Sequence, residues 1–159
     1  MTGVTRSPVA LARLLALLVP VGLLGGALFS QYVGGLNPCE MCYWQRWPHA
    51  AAIALAALAF FFAADSGKAR ALTGLAALAI AVSGAIGVFH FGVEQKWWEG
   101  LTQCTASGPM SLDDILNAPI IRCDQVQWEF LGLSMAGWNA VLSLGAAAVI
   151  AVLLTRKAS

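Results

Sequence analysis

The chain has 159 residues, of which 59% are apolar and 11% charged, and a water-soluble domain of this size is excluded because it needs a more charged surface. A formal net charge of +1 offers no basic footprint for nucleic acid, which excludes that class of partner. Formal charge is absent from four stretches, 14–39, 47–64, 71–93 and 130–155, which are 26, 18, 23 and 26 residues long.

These four stretches predict transmembrane helices, because a hydrocarbon core of about 30 Å needs roughly 20 apolar residues of helix. None of them alternates with a period of two residues, which favours helices over a barrel. The predicted fold class is all-α, an integral membrane four-helix bundle. We expect one domain, 1–159, with helices at about 11–32, 41–64, 71–92 and 132–155.

The distribution of charge predicts the orientation of the bundle. By parity, both termini and the connection near Lys68 share one side, and the positive-inside rule makes that side cytoplasmic because it holds six of the nine basic residues. These six are Arg6, Arg13, Lys68, Arg70, Arg156 and Lys157. All four cysteines and all six tryptophans then lie on or near the outer side.

The first helix has an alternative interpretation as a cleaved signal peptide, with Arg6 and Arg13 as its basic region. Retention is favoured, because the uncharged stretch continues well beyond a signal sequence and has no clear Ala-x-Ala site. Gly22 and Gly26 in this helix are spaced as helix-packing residues, as are Ser83 and Gly87 in the third helix. We expect both pairs to make contacts within the chain.

A Cys-x-x-Cys pair, Cys39 and Cys42, precedes the second helix, and Cys104 and Cys123 lie in the loop that follows the third. In an oxidising compartment such cysteines form disulfides, and Cys39–Cys42 with Cys104–Cys123 is the natural pairing among three possibilities. Asn37 is the predicted N-cap of the second helix, so Cys39 falls in its first turn, where the helix dipole favours a thiolate. A short, exposed disulfide suits thiol exchange.

Two further polar residues accompany the cysteines near the hydrocarbon boundary. Arg46 follows Cys42 by one helical turn and can stabilise negative charge on a thiolate or on a reduced carbonyl-bearing cofactor; the alternative is a side chain that snorkels to the headgroups. His90 fits as a proton-donating group near the outer end of the third helix. Zinc is a disfavoured alternative, because only one close cysteine pair exists and His49 lies deeper in the second helix.

The outer loop, 93–131, is long enough to need its own structure or a partner. Within it, 111–117 has a serine cap, acidic residues in its first turn and one apolar face, which predicts a short amphipathic helix on the membrane surface.

The chain resembles the disulfide bond formation protein B (DsbB) family of bacterial inner-membrane thiol oxidases. The resemblance covers nearly the whole chain and rests on four helices, the Cys-x-x-Cys pair followed by Arg46, the loop cysteines, and the sequence Cys-Asp-Gln-Val-Gln-Trp-Glu-Phe-Leu-Gly-Leu-Ser-Met at 123–135. The loop between Cys104 and Cys123 is short for the family, and Glu40 is an acidic choice inside the pair.

The resemblance implies a function for these residues. Reduced periplasmic dithiol oxidase of the DsbA type, a thioredoxin-fold protein, would attack Cys104, and electrons would pass through Cys123 and the Cys39–Cys42 pair to a membrane quinone, ubiquinone or menaquinone. By the same resemblance Cys42 reduces the quinone, which is bordered by Arg46, His90 and Met135.

Three alternatives stay open at this stage. A reductive thiol relay would move electrons outward, but it normally needs a cytosolic cysteine and none is expected here. A structural or transport protein with two static disulfides would bind no quinone. A quinone reductase of the vitamin K epoxide reductase type has its helix-embedded cysteine pair late in the chain, whereas Cys39 and Cys42 come early.

Overall fold

A computed structural model describes residues 7–64, 66–101 and 121–156 as a bundle of antiparallel helices. Within these residues the helices are α1 (Pro8–Tyr32), α2 (Glu40–Ala59), α3 (Gly67–Glu94) and α4 (Met135–Thr155). Two short strands, β1 (Glu129–Phe130) and β2 (Leu133–Ser134), form a hairpin before α4. Cys104 and the predicted surface helix at 111–117 lie outside the described residues.

Each helix begins at a side chain that accepts a hydrogen bond from the backbone N–H three residues later. The four N-caps are Ser7, Cys39, Ser66 and Ser134, which accept from Ala10, Cys42, Ala69 and Gly137. Such caps satisfy N–H groups that have no partner inside the helix. The expectation of Asn37 as N-cap was therefore wrong: the Cys39 sulfur has this role, and the residue lies just outside α2.

The helix bounds differ from the expected ones where polar side chains take part in the helix ends. α1 begins three residues earlier than expected, and α3 begins four residues earlier. Each helix starts directly after a serine cap, and the residues next to these caps lie outside the uncharged stretches on which the expected bounds were based. α2 ends at Ala59 rather than near 64. There the Arg13 guanidinium donates to the carbonyls of Ala59 (3.1 Å) and Phe62 (3.0 Å), so these terminal carbonyls find partners outside a continued helix.

Three of the four helices, α1, α3 and α4, are long and apolar enough to cross a membrane. The first ten residues of α2 include Gln45, Arg46 and His49, and this helix does not meet the same criterion of length and hydropathy. Its crossing therefore stays a prediction.

Two arginines cap helix ends at the end of the bundle that lies opposite the cysteines. Arg13 binds the end of α2, and Arg70 donates to Leu154 near the end of α4 (2.7 Å). Cations are favourable at helix C-termini because the dipole is negative there. The core nearest these arginines is rich in alanine, with Ile80 and Ile150 as its largest members. Small side chains bring the helix backbones close together.

Of the four small residues expected to make packing contacts, two are closely packed and two are not. Gly87 contacts α4: a Cβ atom added there would lie 3.0 Å from the Ala136 oxygen and 3.1 Å from the Ala140 nitrogen. Ser83 is fully buried. Added Cβ atoms at Gly22 and Gly26 would meet nothing within 4 Å, so the packing expectation for this pair was wrong. These two glycines instead border a cavity.

The close approach at Gly87 predicts a stability difference between two glycines of α3. We expect Gly87→Ala to lower the free energy of unfolding by about 1–2 kcal/mol relative to Gly74→Ala, because the first forces backbone apart and the second meets only a Leu154 methyl group at 3.9 Å. Both variants gain the same helix propensity, which cancels in the comparison. Thermal unfolding in detergent measures the difference, and equal stabilities would contradict the packing described.

The hairpin sets the position where α4 begins. Leu131 and Gly132 form its turn with φ of 52° and 78°, the positive values that tight two-residue hairpin turns require. Ser134 ends the hairpin, caps α4 and donates a hydrogen bond to Glu94 at the end of α3. α4 therefore begins at Met135 and not near 132, because the preceding residues are committed to the hairpin.

Candidate functional site

Three of the four cysteines lie in the described part of the chain, and the structure brings them together. The sulfurs of Cys39 and Cys42 are 3.1 Å apart, with both residues present as thiols. Cys123 is fully buried and packs in one cluster with Cys39, Met41 and Val93. Cysteines that are 84 positions apart in sequence are thus neighbours at the start of α2.

The protonation of Cys39 differs from the thiolate expected for it. In the reduced pair, the hydrogen bond to the Cys42 sulfur raises the pKa of Cys39 above its ordinary value, and burial adds to this effect. The backbone N–H of Cys42 opposes it by donating to the Cys39 sulfur (3.4 Å). Cys39 is only 3% exposed, so little water is available to solvate a charge. The helix start alone does not make Cys39 the thiolate of the pair.

A cavity of about 630 Å³ lies between α1, α2 and α4 and reaches the cysteine pair. Its lining includes Cys42, Arg46, His90 and Met135, the residues that the resemblance assigns to a cofactor. It also includes Cys39, Gln45, His49, Glu94 and Asn139. The volume is in the range of small-molecule and cofactor sites, and the lining combines apolar walls with a few polar groups.

Arg46 is held at the cavity wall by the end of α1. Its guanidinium donates to the Gln31 side-chain oxygen (2.5 Å) and to the Ala27 carbonyl (3.2 Å). The Nε–H of Arg46 is buried and has no hydrogen-bond partner among the described residues. An unsatisfied buried donor is costly, so this N–H suits an oxygen acceptor from a bound molecule. The Ser30 hydroxyl donates to the Met135 sulfur (3.8 Å) on the same wall.

His90 lies between the cysteines and the interior of the bundle. Its Nε2 is 3.2 Å from the carbonyl oxygen of Cys123, 3.6 Å from the Cys39 sulfur and 3.8 Å from a Glu94 carboxylate oxygen. Its Nδ1 is 2.9 Å from the side-chain nitrogen of Gln45. One imidazole therefore touches both parts of the cysteine cluster.

A buried polar network continues from Gln45 and was not foreseen in the sequence. Asn139 of α4 donates to Gln45 Oε1 (2.8 Å), and its own oxygen accepts from His49 Nε2 (2.9 Å). Ser83 joins the network by donating to the Gln45 carbonyl (2.8 Å). The available signal was the position of Asn139, an amide inside an uncharged 26-residue stretch, since polar groups within membrane segments are usually functional.

Cys39, Cys42 and His90 also satisfy the distances of a metal site. Their sulfur and ring nitrogen atoms lie within 4.8 Å of one another. Thiolates and a neutral imidazole nitrogen are zinc ligands, so distance alone allows a metal ion here. Whether His90 can offer a lone pair to a metal ion depends on which ring nitrogen carries the proton.

An ion-pair clasp fixes the chain next to Cys123. Asp124 accepts two hydrogen bonds from Arg122 (2.7 and 2.8 Å) and one from Lys96 at the end of α3 (2.5 Å). The hydrogen bond from Arg122 is the largest cause that holds the pKa of Asp124 well below its ordinary value. The clasp ties the segment carrying Cys123 to α3.

The lowered pKa of Asp124 predicts a pH-dependent contribution to stability. A carboxyl whose pKa falls on folding stabilises the protein above its unfolded pKa of about 3.9, and this stabilisation is lost as the pH falls through the lower folded value. We expect Asp124→Asn to be less stable than the parent protein at pH 6, with a difference that shrinks steadily below about pH 4. Unfolding in detergent across this range measures it. A difference that does not change with pH would contradict the clasp.

Comparisons with known proteins give a consistent result. The family model described as "Disulfide bond formation protein DsbB" matches residues 9–153. Proteins called disulfide bond formation protein B are similar to the chain: that of Hahella chejuensis is 33% identical and the match covers 90% of this chain and 92% of that protein. The one of Marinobacter nauticus is 36% identical, with 80% of each covered, and that of Methylococcus capsulatus 35%, with 83% and 85% covered. No solved structure gives a significant match.

Proposed function

The chain belongs to the DsbB family of disulfide bond formation proteins, and on that premise we propose that it re-oxidises a periplasmic DsbA-type dithiol oxidase and passes the electrons to a membrane quinone. Membership makes it a membrane thiol oxidoreductase. The direction of transfer, the partner and the acceptor are the proposal. So are the bacterial inner membrane, cytoplasmic termini and periplasmic cysteines, with Arg13 and Arg70 clustered at the opposite end as support.

The observation that carries this proposal is the position of the cysteine pair between two different surroundings. Cys39 packs against Cys123, the residue through which the outer pair would deliver electrons. Both cysteines border the cavity with Arg46 and Met135, but of the two Cys42 is the partly exposed one. The two sulfurs, 3.1 Å apart, need only a small approach to form a bond. Electrons entering at Cys39 can therefore leave at Cys42.

The proposed relay begins with thiol–disulfide exchange. The reduced partner would attack the Cys104–Cys123 disulfide at Cys104, and the outer pair would end as a dithiol. Cys123 would then attack the sulfur of Cys39, which lies in the same buried cluster, so that Cys42 leaves as a thiolate. The Arg46 guanidinium interacts favourably with negative charge on Cys42. The two electrons then reside on Cys42, which borders the cavity beside Arg46.

The residues at the cavity fit a quinone. The buried Arg46 Nε–H can donate to a quinone carbonyl, and the apolar α1 wall at Gly22, Leu23 and Gly26 leaves room for a ring. A bound quinone would supply a two-electron, two-proton acceptor that is soluble in the membrane. Thiol pools cannot replace the quinone, because the reduction potential of a DsbA-type partner, about −120 mV, lies roughly 100 mV above that of a glutathione pool.

The experiment that tests the proposal follows quinone absorbance in detergent. Purified protein is mixed with ubiquinone or menaquinone analogues and a reduced DsbA-type partner. We expect loss of oxidised quinone with matching appearance of oxidised partner, two electrons per disulfide. Controls omit the partner, or use protein whose thiols were alkylated after reduction.

Each of three results would contradict the proposal. Folded protein that leaves both quinone and partner unchanged would indicate static disulfides. Oxidation of quinol with reduction of the partner would indicate a reductive relay. Loss of quinone in the alkylated protein would show a reaction that does not use the cysteines.

A further inference from the structure

The two amide side chains of the buried network have orientations that backbone carbonyls fix. The nitrogen of Gln45 donates to the Met41 carbonyl (3.2 Å), and the nitrogen of Asn139 donates to the Ser83 carbonyl (3.2 Å). Turning either amide over would place an oxygen against a carbonyl oxygen. Asn139 also donates to Gln45 Oε1, so each amide supports the orientation of the other.

These orientations determine where the proton of His90 lies. The Gln45 nitrogen, a donor, faces Nδ1, so Nδ1 must present its lone pair and the ring proton must be on Nε2. The surroundings of Nε2 agree, since the Cys123 carbonyl, the Cys39 sulfur and the Glu94 carboxylate are all acceptors. Donor meets lone pair on one side of the ring, and N–H meets acceptors on the other.

We infer that Gln45 and Asn139 are positioning residues that hold His90 as an Nε2–H donor towards the Cys39 sulfur. This inference rests on the proposed function and assigns a step to His90 within it. After Cys123 has attacked Cys39, the Cys104 thiolate attacks the Cys123 sulfur. The Cys123–Cys39 bond breaks, Cys39 leaves as a thiolate, and the outer disulfide is restored. The His90 N–H stabilises this leaving thiolate.

The same tautomer separates this site from a metal centre. A histidine that ligates a metal through Nε2 needs its lone pair there and donates its Nδ1–H to an acceptor. Gln45 offers a donor in that place. The Cys39, Cys42 and His90 cluster thus has the distances of a zinc site but the hydrogen-bond pattern of a thiol-exchange site.

The first test is ¹⁵N NMR of protein labelled at histidine, in detergent at neutral pH, with the two rings assigned by a His49→Asn variant. We expect His90 to show a protonated Nε2 and an unprotonated Nδ1. In Gln45→Met, which removes the donor at similar size, we expect this signature to give way to a mixture of tautomers. Ser143→Ala is the matched control: the Ser143 hydroxyl donates to the oxygen of Asn139 (2.9 Å), but a hydroxyl can equally accept from an amide nitrogen and so does not select the orientation of Asn139.

The second test measures the resolution step itself. Reduced partner is added, thiols are trapped by alkylation at short times, and the Cys39–Cys123 cross-link is quantified by peptide mapping. We expect its decay to be about tenfold slower in Gln45→Met and unchanged in Ser143→Ala.

The two tests separate this inference from the proposed function. An Nδ1–H signature of His90 in the parent protein would overturn the inference even if quinone reduction proceeds, and so would an unchanged tautomer or an unchanged decay in Gln45→Met. The NMR result on the parent protein decides the tautomer even if the variant fails to fold or no electrons reach a quinone.

Discussion

Replacing Cys42 by serine is expected to reduce partner-dependent quinone reduction by at least about a thousandfold. Cys42 is the more exposed of the two cysteines that border the cavity, and a serine hydroxyl neither accepts two electrons nor leaves as a stable anion. In this variant Cys39 is a thiol in the same buried cluster as Cys123. It can attack Cys123 of the oxidised Cys104–Cys123 pair, with Cys104 leaving as a thiolate, so a disulfide between Cys39 and Cys123 can still form. Quinone absorbance measures the loss, and peptide mapping measures the cross-link.

Cys104→Ser provides the contrast for this prediction. We expect it to lose oxidation of the protein partner while a small dithiol, which can reach the inner pair directly, still drives quinone reduction. The two variants would then interrupt opposite ends of the relay. Equal oxidation of the partner by Cys104→Ser and the parent protein would contradict the assigned order.

Replacing Arg46 by methionine has the second largest expected effect, a rise in KM for quinone of about 10- to 100-fold with both disulfides still formed. A hydrogen bond from a charged group to a buried acceptor contributes about 1.5–3 kcal/mol, and the Arg46 Nε–H is a buried donor without a partner among the described residues. Steady-state kinetics at saturating reduced partner, with quinone varied, give the constant.

Arg46→Lys is the matched control, because it keeps the charge and loses the planar set of donors. We expect it to retain stabilisation of a thiolate at Cys42 but to share much of the rise in KM. Arg46 also binds Gln31 and Ala27 of α1, so thermal unfolding of both variants must be compared with the parent protein. A normal KM in a stable Arg46→Met protein would remove Arg46 from the quinone site.

The helices were predictable from the sequence because lipid forces uncharged stretches of defined length, whereas their ends depend on individual polar contacts. Ser7 and Ser66 extend α1 and α3 past the limits of the uncharged stretches. The contact between Arg13 and the end of α2 joins residues 46 positions apart, and no pattern in the neighbouring sequence predicts it.

The site was predictable in its cysteines but not in its hydrogen bonds. Cys39 and Cys42 stand out by spacing, and Arg46 by its charge near a helix. Asn139 and Ser83 lie on two different helices, and their contacts with Gln45 depend on how each helix is rotated about its axis. The β1–β2 hairpin was not predicted, because strands of two residues are too short to show an alternation of apolar and polar side chains.

The hydrogen bond from Ser134 to Glu94 and the ion pair of Lys96 with Asp124 hold the connection between α3 and α4 close to its two ends. The chain leaves α3 beside Glu94 and returns to α4 beside Ser134, so its two ends meet whatever lies between them. Closing a longer loop between such ends costs little additional entropy, about 0.6 kcal/mol for each doubling of length. Segments of different length or sequence can therefore be exchanged between these ends without repacking the helices. Under the proposed function, partner choice could diverge in this way while the site for the electron acceptor stays the same.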